Sequence, residues 1–216
     1  MVADGLVHVL SAQPGIEVRT SQRITAIEAD TAGFRVLLEG ADPIICGALT
    51  LAVPPNAAAA LLPPEYTGVR SLIGGIGMAE FETLVLVFRN TDLTLPPLAG
   101  LIAIEDAFYS SVSRDFLPDP SYRGFAFHFR PGVLDAAAQV ERACAVLGVA
   151  PSRIAAQSRV HNRLPALRYG HTDLVHQLDA ALAGTRLGVT GNWFLGVSIE
   201  DSLTRSRSES DRLFGR

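Results

Sequence analysis

Cysteine is almost absent from this chain. Cys46 and Cys144 are the only two, they form no CxxC pair, and neither has metal-type spacing. A disulfide scaffold and a thiolate zinc centre are thereby excluded, and two buried, reduced thiols of a cytoplasmic protein are expected. The five histidines show no HxxxH spacing, so they suggest no metal site. No apolar run approaches the ~20 residues of a membrane-spanning helix. Met1 is followed by Asp4 rather than by a basic region and an apolar core, so neither a transmembrane segment nor a secretory leader is expected. The 18 basic residues form no run and face 22 acidic ones, a net charge of −4 that argues against nucleic acid as a partner. A Gly-x-Ser-x-Gly hydrolase elbow is missing, and so is a Gly-x-Gly-x-x-Gly dinucleotide fingerprint. The glycine cluster Gly74-Gly75-Ile76-Gly77 lacks both the third glycine and a convincing leading strand, and it reads as a small-residue turn.

What remains is a core-forming chain. Of its 216 residues, 48% are hydrophobic and 19% charged, which excludes wholesale disorder. Residues 2–10 predict a helix, and residues 16–19, 23–30 and 34–38 alternate like strands. Residues 44–53 form one continuous apolar run ended by Pro54-Pro55, the pattern of a buried strand. An alanine-rich helix is expected over 56–62. Strands follow over 81–88, 100–103, 107–113 and 125–130, a helix over 134–147 stopped by Gly148, and a strand over 153–163. The proline-rich stretch 115–123 predicts a mobile loop. His128, between Phe127 and Phe129, is expected to be a solvent-side or hydrogen-bonded strand residue, with a substrate-facing role as the alternative.

The C-terminal part is the most specific. Residues 171–182 predict a helix started after Gly170 and ended at Gly184, and residues 186–190 predict a short apolar strand. A loop through Gly191 and Gly196 leads to a helix beginning at Ser198. Ser198 and Asp201 have the spacing of a capping box. Glu200 and Asp201 then sit in the first turn, and Arg205, Arg207 and Arg212 come later, as the helix dipole favours. A strand that passes through glycines into a helix N-terminus suits an anion.

The stretch Val160-His161-Asn162-Arg163-Leu164-Pro165-Ala166-Leu167-Arg168-Tyr169-Gly170-His171, followed by residues 187–213, resembles the C-terminal end of protoporphyrinogen oxidases. More broadly it is similar to the flavin-containing amine oxidase superfamily. The marks are Leu-Pro before Gly-His, then Gly-Asn, then Gly-Val-x-Ile-x-Asp opening a helix. The family's Ser-Gly-Arg in that helix is replaced here by Arg205-Ser206-Arg207, without glycine, and its Gln-Tyr after the proline by Ala166-Leu167. Residues 4–10, 16–20 and 22–27 resemble an internal helix and strands of the same family.

The resemblance implies an α/β (α+β) fold. Residues 1–54 and 169–216 would form the C-terminal part of an FAD-binding Rossmann-type domain, and residues 55–168 a mixed-sheet substrate domain. It implies an FAD cofactor. The backbone at Gly196, Val197 and Ser198 would face the flavin ring, Gly191 and Asn192 the ribityl and pyrophosphate, and Ile24 the adenine, with Trp193 a further cofactor-binding residue. Arg163, His161 and Tyr169 are the candidate substrate residues, Arg163 as a bidentate carboxylate ligand. Hydride would pass from a substrate C–H or C–N centre to flavin, the cofactor supplying the chemistry. The chain would correspond to the C-terminal half of such an oxidoreductase. It would take up FAD only with a complementary N-terminal dinucleotide-binding half, self-association being the other expected cover for an open strand edge at 186–190. A binding module without flavin is the alternative.

Overall fold

A computed structural model describes residues 2–117 and 119–215. In chain order its elements are α1 (Val2–Ser11), β1 (Ile24–Ala29), β2 (Phe34–Leu38), β3 (Ala41–Cys46), β4 (Leu49–Leu51), α2 (Pro55–Leu61), α3 (Thr67–Gly74) and β5 (Met78–Arg89). There follow β6 (Gly100–Ile102), β7 (Phe108–Ser113), β8 (Tyr122–Phe129), α4 (Ala136–Leu147), β9 (Ile154–Pro165), α5 (His171–Leu182), β10 (Leu187–Val189) and α6 (Ile199–Phe214). They form two compact units, one of Met1–Gly77 with Leu167–Arg216, the other of Met78–Ala166.

In the first unit β1, β2 and β3 make an antiparallel meander. The β1–β2 turn forms because Asp30 Oδ1 accepts from the N–H groups of Ala32 and Gly33, at 2.7 and 2.9 Å. Gly33 has φ +152°, and a Cβ there would strike the Cys46 carbonyl, so only glycine fits. β4 and β10 form a separate, parallel two-stranded sheet. Leu51, Leu187 and Val189 from these strands share one core with Ala58 and Leu62 of the α2 segment, Val69 and Ile73 of α3, Val175, Leu178 and Leu182 of α5, and Trp193. That shared core places the division between units after Gly77, whereas the sequence placed it at Pro54-Pro55.

The second unit is a five-stranded sheet in the order β6-β7-β8-β5-β9. Every neighbouring pair in it is antiparallel, which corrects the expected mixed sheet. The only parallel pairing among the described residues is β4 with β10. Leu84, Leu86 and Phe88 of β5 and Phe125, Phe127 and Phe129 of β8 point to one face and pack under Ala143, Cys144 and Leu147 of α4. Asp135 starts α4 by accepting from Ala138 N–H at 2.8 Å, and Gly148 ends it in the left-handed conformation, φ +68°.

Three local expectations are corrected, and one helix is added. Residues 16–19 form no strand, because nothing in the described chain pairs with them. The apolar run 44–53 is two strands in two different sheets, separated at Gly47-Ala48. Helix α3 was not anticipated; buried Val69 and Ile73, one turn apart, pack it on the core. Residues 115–123 are anchored at the base: Asp115 and Arg123 pair at 2.6 Å, and Arg123 also donates to the Leu95 and Pro96 carbonyls. Pro118 of that stretch lies outside the described residues.

Candidate functional site

The loop between β10 and α6 is built outward from the core. Gly191 has φ +148°, and a Cβ there would lie 2.7 Å from Trp193 Nε1, so the glycine makes room for the indole. Trp193 is fully buried, stacked on Phe194 with centroids 4.1 Å apart, and its N–H donates to the Val53 carbonyl at 3.2 Å. Its ring is therefore a core group with no face left for a cofactor. Asn192 is exposed beside it. His171, the first residue of α5, bonds through Nε2 to the Trp193 carbonyl at 2.8 Å and fixes the loop from the other side.

Beyond Phe194 the loop turns outward. Leu195, Val197 and Ile199 are 57%, 66% and 77% exposed, an apolar collar around the start of α6. Ser198 caps the helix: its Oγ accepts from Asp201 N–H at 3.0 Å, and Asp201 Oδ2 accepts from Ser198 N–H at 3.3 Å and from Ser198 Oγ at 2.7 Å. The Ser198 N–H is thus committed inside the chain. The N–H groups of Gly196 and Val197 make no hydrogen bond among the described residues. A Cβ on Gly196 would collide with the Asp201 carboxylate, so this glycine admits the cap.

Ile24 stands at the start of β1, 39% exposed, where the pairing with β2 is shifted by a bulge. The Gly74–Gly77 cluster is a helix C-terminus. Gly75 N–H bonds back to the Ser71 and Leu72 carbonyls and Ile76 N–H to that of Ile73, so carbonyls point outward and no phosphate cradle forms.

In the second unit the candidate substrate residues separate. Glu80 joins Arg163 (3.4 Å) and His161 (3.7 Å), in each case about half exposed. Sequence reading missed Glu80; it lies opposite Arg163 in the β5–β9 register. Because side chains alternate, Asn162 projects to the other face of the sheet. There its Nδ2 donates to Thr83 Oγ1 at 2.7 Å, and Thr83 Oγ1 lies 2.9 Å from His128 Nδ1. Thr83 Oγ1 thereby links the Asn162 amide and the His128 imidazole in one chain of hydrogen bonds, in which a proton on Nε2 would let the Thr83 hydroxyl donate to Nδ1. Burial lowers the His128 pKa and favours the neutral imidazole. Phe81 meets the imidazole edge-on at 5.3 Å. This face is apolar around the network and uncovered: Ile102, Val112, Val160 and Leu164 are 46–88% exposed. The three network residues lie 45 and 79 positions apart, which no local motif could join. Tyr169 belongs to the first unit and is fully exposed. Cys144 is buried and Cys46 half-buried; burial raises both thiol pKa values, so neither is an activated nucleophile. Among the described residues there is no metal-type cluster, and no helix is long and apolar enough to cross a membrane.

No family model and no curated protein matches the chain. Solved structures do. A protoporphyrinogen oxidase-like protein from Exiguobacterium sp. 255-15 superposes with a TM-score of 0.71 at 18% identity, over 95% of this chain and 49% of that one. Reduced UDP-galactopyranose mutase gives 0.68 at 13% identity, over 96% and 50%. Cyclohexylamine oxidase from Brevibacterium oxydans IH-35A gives 0.63 at 10%, over 88% and 47%. The chain shares the fold of the matched part of these proteins and spans about half the length of the structures it matches.

Proposed function

We propose that this chain is the C-terminal part of an FAD-dependent oxidoreductase of the amine oxidase type, with the loop before α6 at the ring end of the flavin. One observation carries the reading: two unbonded backbone N–H groups, of Gly196 and Val197, set in the apolar collar of Leu195, Val197 and Ile199. A flat aromatic ring with a polar edge suits that surface, its edge accepting from the N–H pair and its faces covering apolar side chains. The residues present fit this end of FAD and supply no pyrophosphate cradle. Ile24, Gly191 and Asn192 are the remaining cofactor contacts of the proposal, through backbone and exposed side-chain atoms.

Bound FAD would supply the two-electron acceptor for oxidation of a substrate C–H or C–N centre, with oxygen or another acceptor regenerating it. The chain's own contribution is positional. Gly196 and Val197 favour negative charge at the ring edge, and the open face of the five-stranded sheet, with the His128 donor, receives a mostly apolar substrate. Arg163 and His161 are assigned to an acidic group at the sheet's other face, and Tyr169 to the segment entering α5.

The test is flavin uptake. The chain alone, titrated with FAD and followed by flavin fluorescence, should bind weakly or not at all. Co-expression with the dinucleotide-binding half of one of the matched proteins, or with a Gly-x-Gly-x-x-Gly polypeptide encoded beside this chain's gene, should yield a yellow complex. Stoichiometric FAD in the lone chain would remove the need for a complementary half. A colourless chain even with every such partner would favour a binding module without flavin.

A further inference from the structure

The free edge of β10 is not bare. In the parallel pairing, Arg186 and Thr190 bond to β4: Leu49 N–H donates to the Arg186 carbonyl at 3.0 Å and Thr190 N–H to the Leu51 carbonyl at 2.9 Å. The N–H and C=O groups of Leu187 and Val189 therefore point to the opposite edge, where a third strand would sit. All four are taken by side chains. Val189 N–H donates to Glu209 Oε2 at 3.0 Å, and the Val189 carbonyl accepts from Arg205 Nε at 3.2 Å. The Leu187 carbonyl accepts from Arg212 Nη2 at 2.6 Å, and Leu187 N–H donates to Thr185 Oγ1 at 3.4 Å.

Arg205, Glu209 and Arg212 follow one another at one and two turns along α6, so a single stripe of the helix presents donor, acceptor, donor to the strand. The stripe is itself neutralised and held. Arg205 and Glu209 are 5% and 3% exposed and form an ion pair at 3.0 Å. Arg205 Nη1 also reaches Asp179 of α5 at 2.6 Å, with its guanidinium 3.9 Å above the Phe194 ring. Arg212 pairs with Glu209 at 2.9 Å and donates to the Leu182 and Thr185 carbonyls. The close approach comes from the strand: a Cβ on Gly188 would lie 2.7 Å from Thr50 Oγ1 and 2.9 Å from Leu213 Cδ1. The absent side chain at Gly188 leaves this space to Thr50 and Leu213, each met at a side-chain atom.

We propose that α6 acts as an intrachain strand mimic. It fills the strand-acceptor edge of β10, closes the two-stranded sheet without a partner, and must be displaced before any polypeptide can add a strand there. This corrects the expectation of an open apolar edge at 186–190. A complementary half that supplies a strand beside β10 would compete with α6, whereas one that docks elsewhere would not. The inference rests on the edge alone and stands whether or not the chain binds flavin.

Amide exchange of the whole chain, followed by NMR, tests it. The Val189 amide should be protected in the wild type. Glu209→Ala should speed its exchange about ten- to hundredfold by removing the acceptor, leaving Thr190, bonded to β4, as the slow internal reference. Glu209→Gln retains an oxygen acceptor and should preserve most of the protection. Sedimentation velocity should show Glu209→Ala self-associating more than the wild type, because an opened edge seeks another strand. A Val189 amide that exchanges freely in the wild type, or is equally protected in Glu209→Ala, overturns the mimic. Unchanged sedimentation with a deprotected Val189 overturns the acceptor edge. Should Glu209→Ala fail to fold, Arg212→Met opens the Leu187 carbonyl at a side chain only partly buried, and its self-association decides the same point.

Discussion

Gly196→Ala distinguishes what this glycine does for the fold from what it does for a ligand. Its φ is not in the left-handed region, so alanine carries no backbone strain. The added methyl would stand 2.9 Å from Asp201 Cγ and closer still to Oδ2, which forces the carboxylate out of the capping box with Ser198. Loss of such a cap costs about 1 kcal/mol, within a range of roughly 0.5–2. Replacing glycine also narrows the unfolded ensemble, which returns about 0.5 kcal/mol. The net expectation is a loss of about 0.5 kcal/mol in the wild-type background. In an Asp201→Ala background there is no carboxylate to expel, so only the unfolded-state term remains and the same substitution should stabilise by about 0.5 kcal/mol. The coupling is then about 1 kcal/mol, a difference of roughly 2–4 °C in Tm for a chain of this length. Four melting curves measure it. Equal effects of alanine in both backgrounds would show that Gly196 and Asp201 do not share the space the structure gives them. The cycle also frees the flavin question: in the assembled protein, Gly196→Ala added to Asp201→Ala lowers stability no further than Asp201→Ala alone and still adds the methyl beside the N–H pair. Flavin lost from that double variant is lost for want of close approach, not of folding.

Three further outcomes are expected. His128 has its folded pKa lowered by burial, so the stability it contributes is complete above the ordinary histidine value of about 6.5 and is lost as pH falls through the lower folded value; ¹⁵N spectra should show the neutral Nε2–H tautomer at neutral pH, and Thr83→Val should disturb it. Asp115 is held below the usual aspartate range first by its hydrogen bond to Arg123, so its contribution is present above about pH 3.9 and declines as pH falls through the lower folded value; Asp115→Asn should flatten that acid limb in a denaturation series. Arg163 and Glu80 are each about half exposed, so Arg163→Ala should change stability by less than about 1 kcal/mol. A rise in KM for an acidic substrate of the assembled enzyme, without a shift in Tm, would then mark Arg163 as a substrate ligand, and an unchanged KM would remove it from the site.

What the sequence made legible is what short-range chemistry decides. The Ser198–Asp201 box, the Gly148 stop and the alternation of β2 are written within a few residues of where they act, and each formed as expected. His171 likewise proved to be a helix start bonded to backbone. The errors lie where a partner far along the chain decides the outcome. Residues 16–19 alternate correctly and remain unpaired, while the uniform run 44–53 is divided because Ile44 and Leu51 answer to different sheets. Thr83, His128 and Asn162 become a network only through the antiparallel register of β5, β8 and β9.

The sharpest case is α6. Locally, Arg205, Glu209 and Arg212 look like the solvated charges of a surface helix, Arg212 favourably placed in its last turn. Burial reverses that meaning. Charges at 5% and 3% exposure persist when most of their hydrogen-bonding capacity is used; here it goes to Asp179 and to the β10 edge that β4 leaves uncovered, with Arg205 Nη2 alone making an ion pair to Glu209 and no hydrogen bond. A polar stripe on a C-terminal helix beside a short, wholly buried strand is therefore a signature of edge closure, recognisable once the strand's unpaired groups are counted one by one.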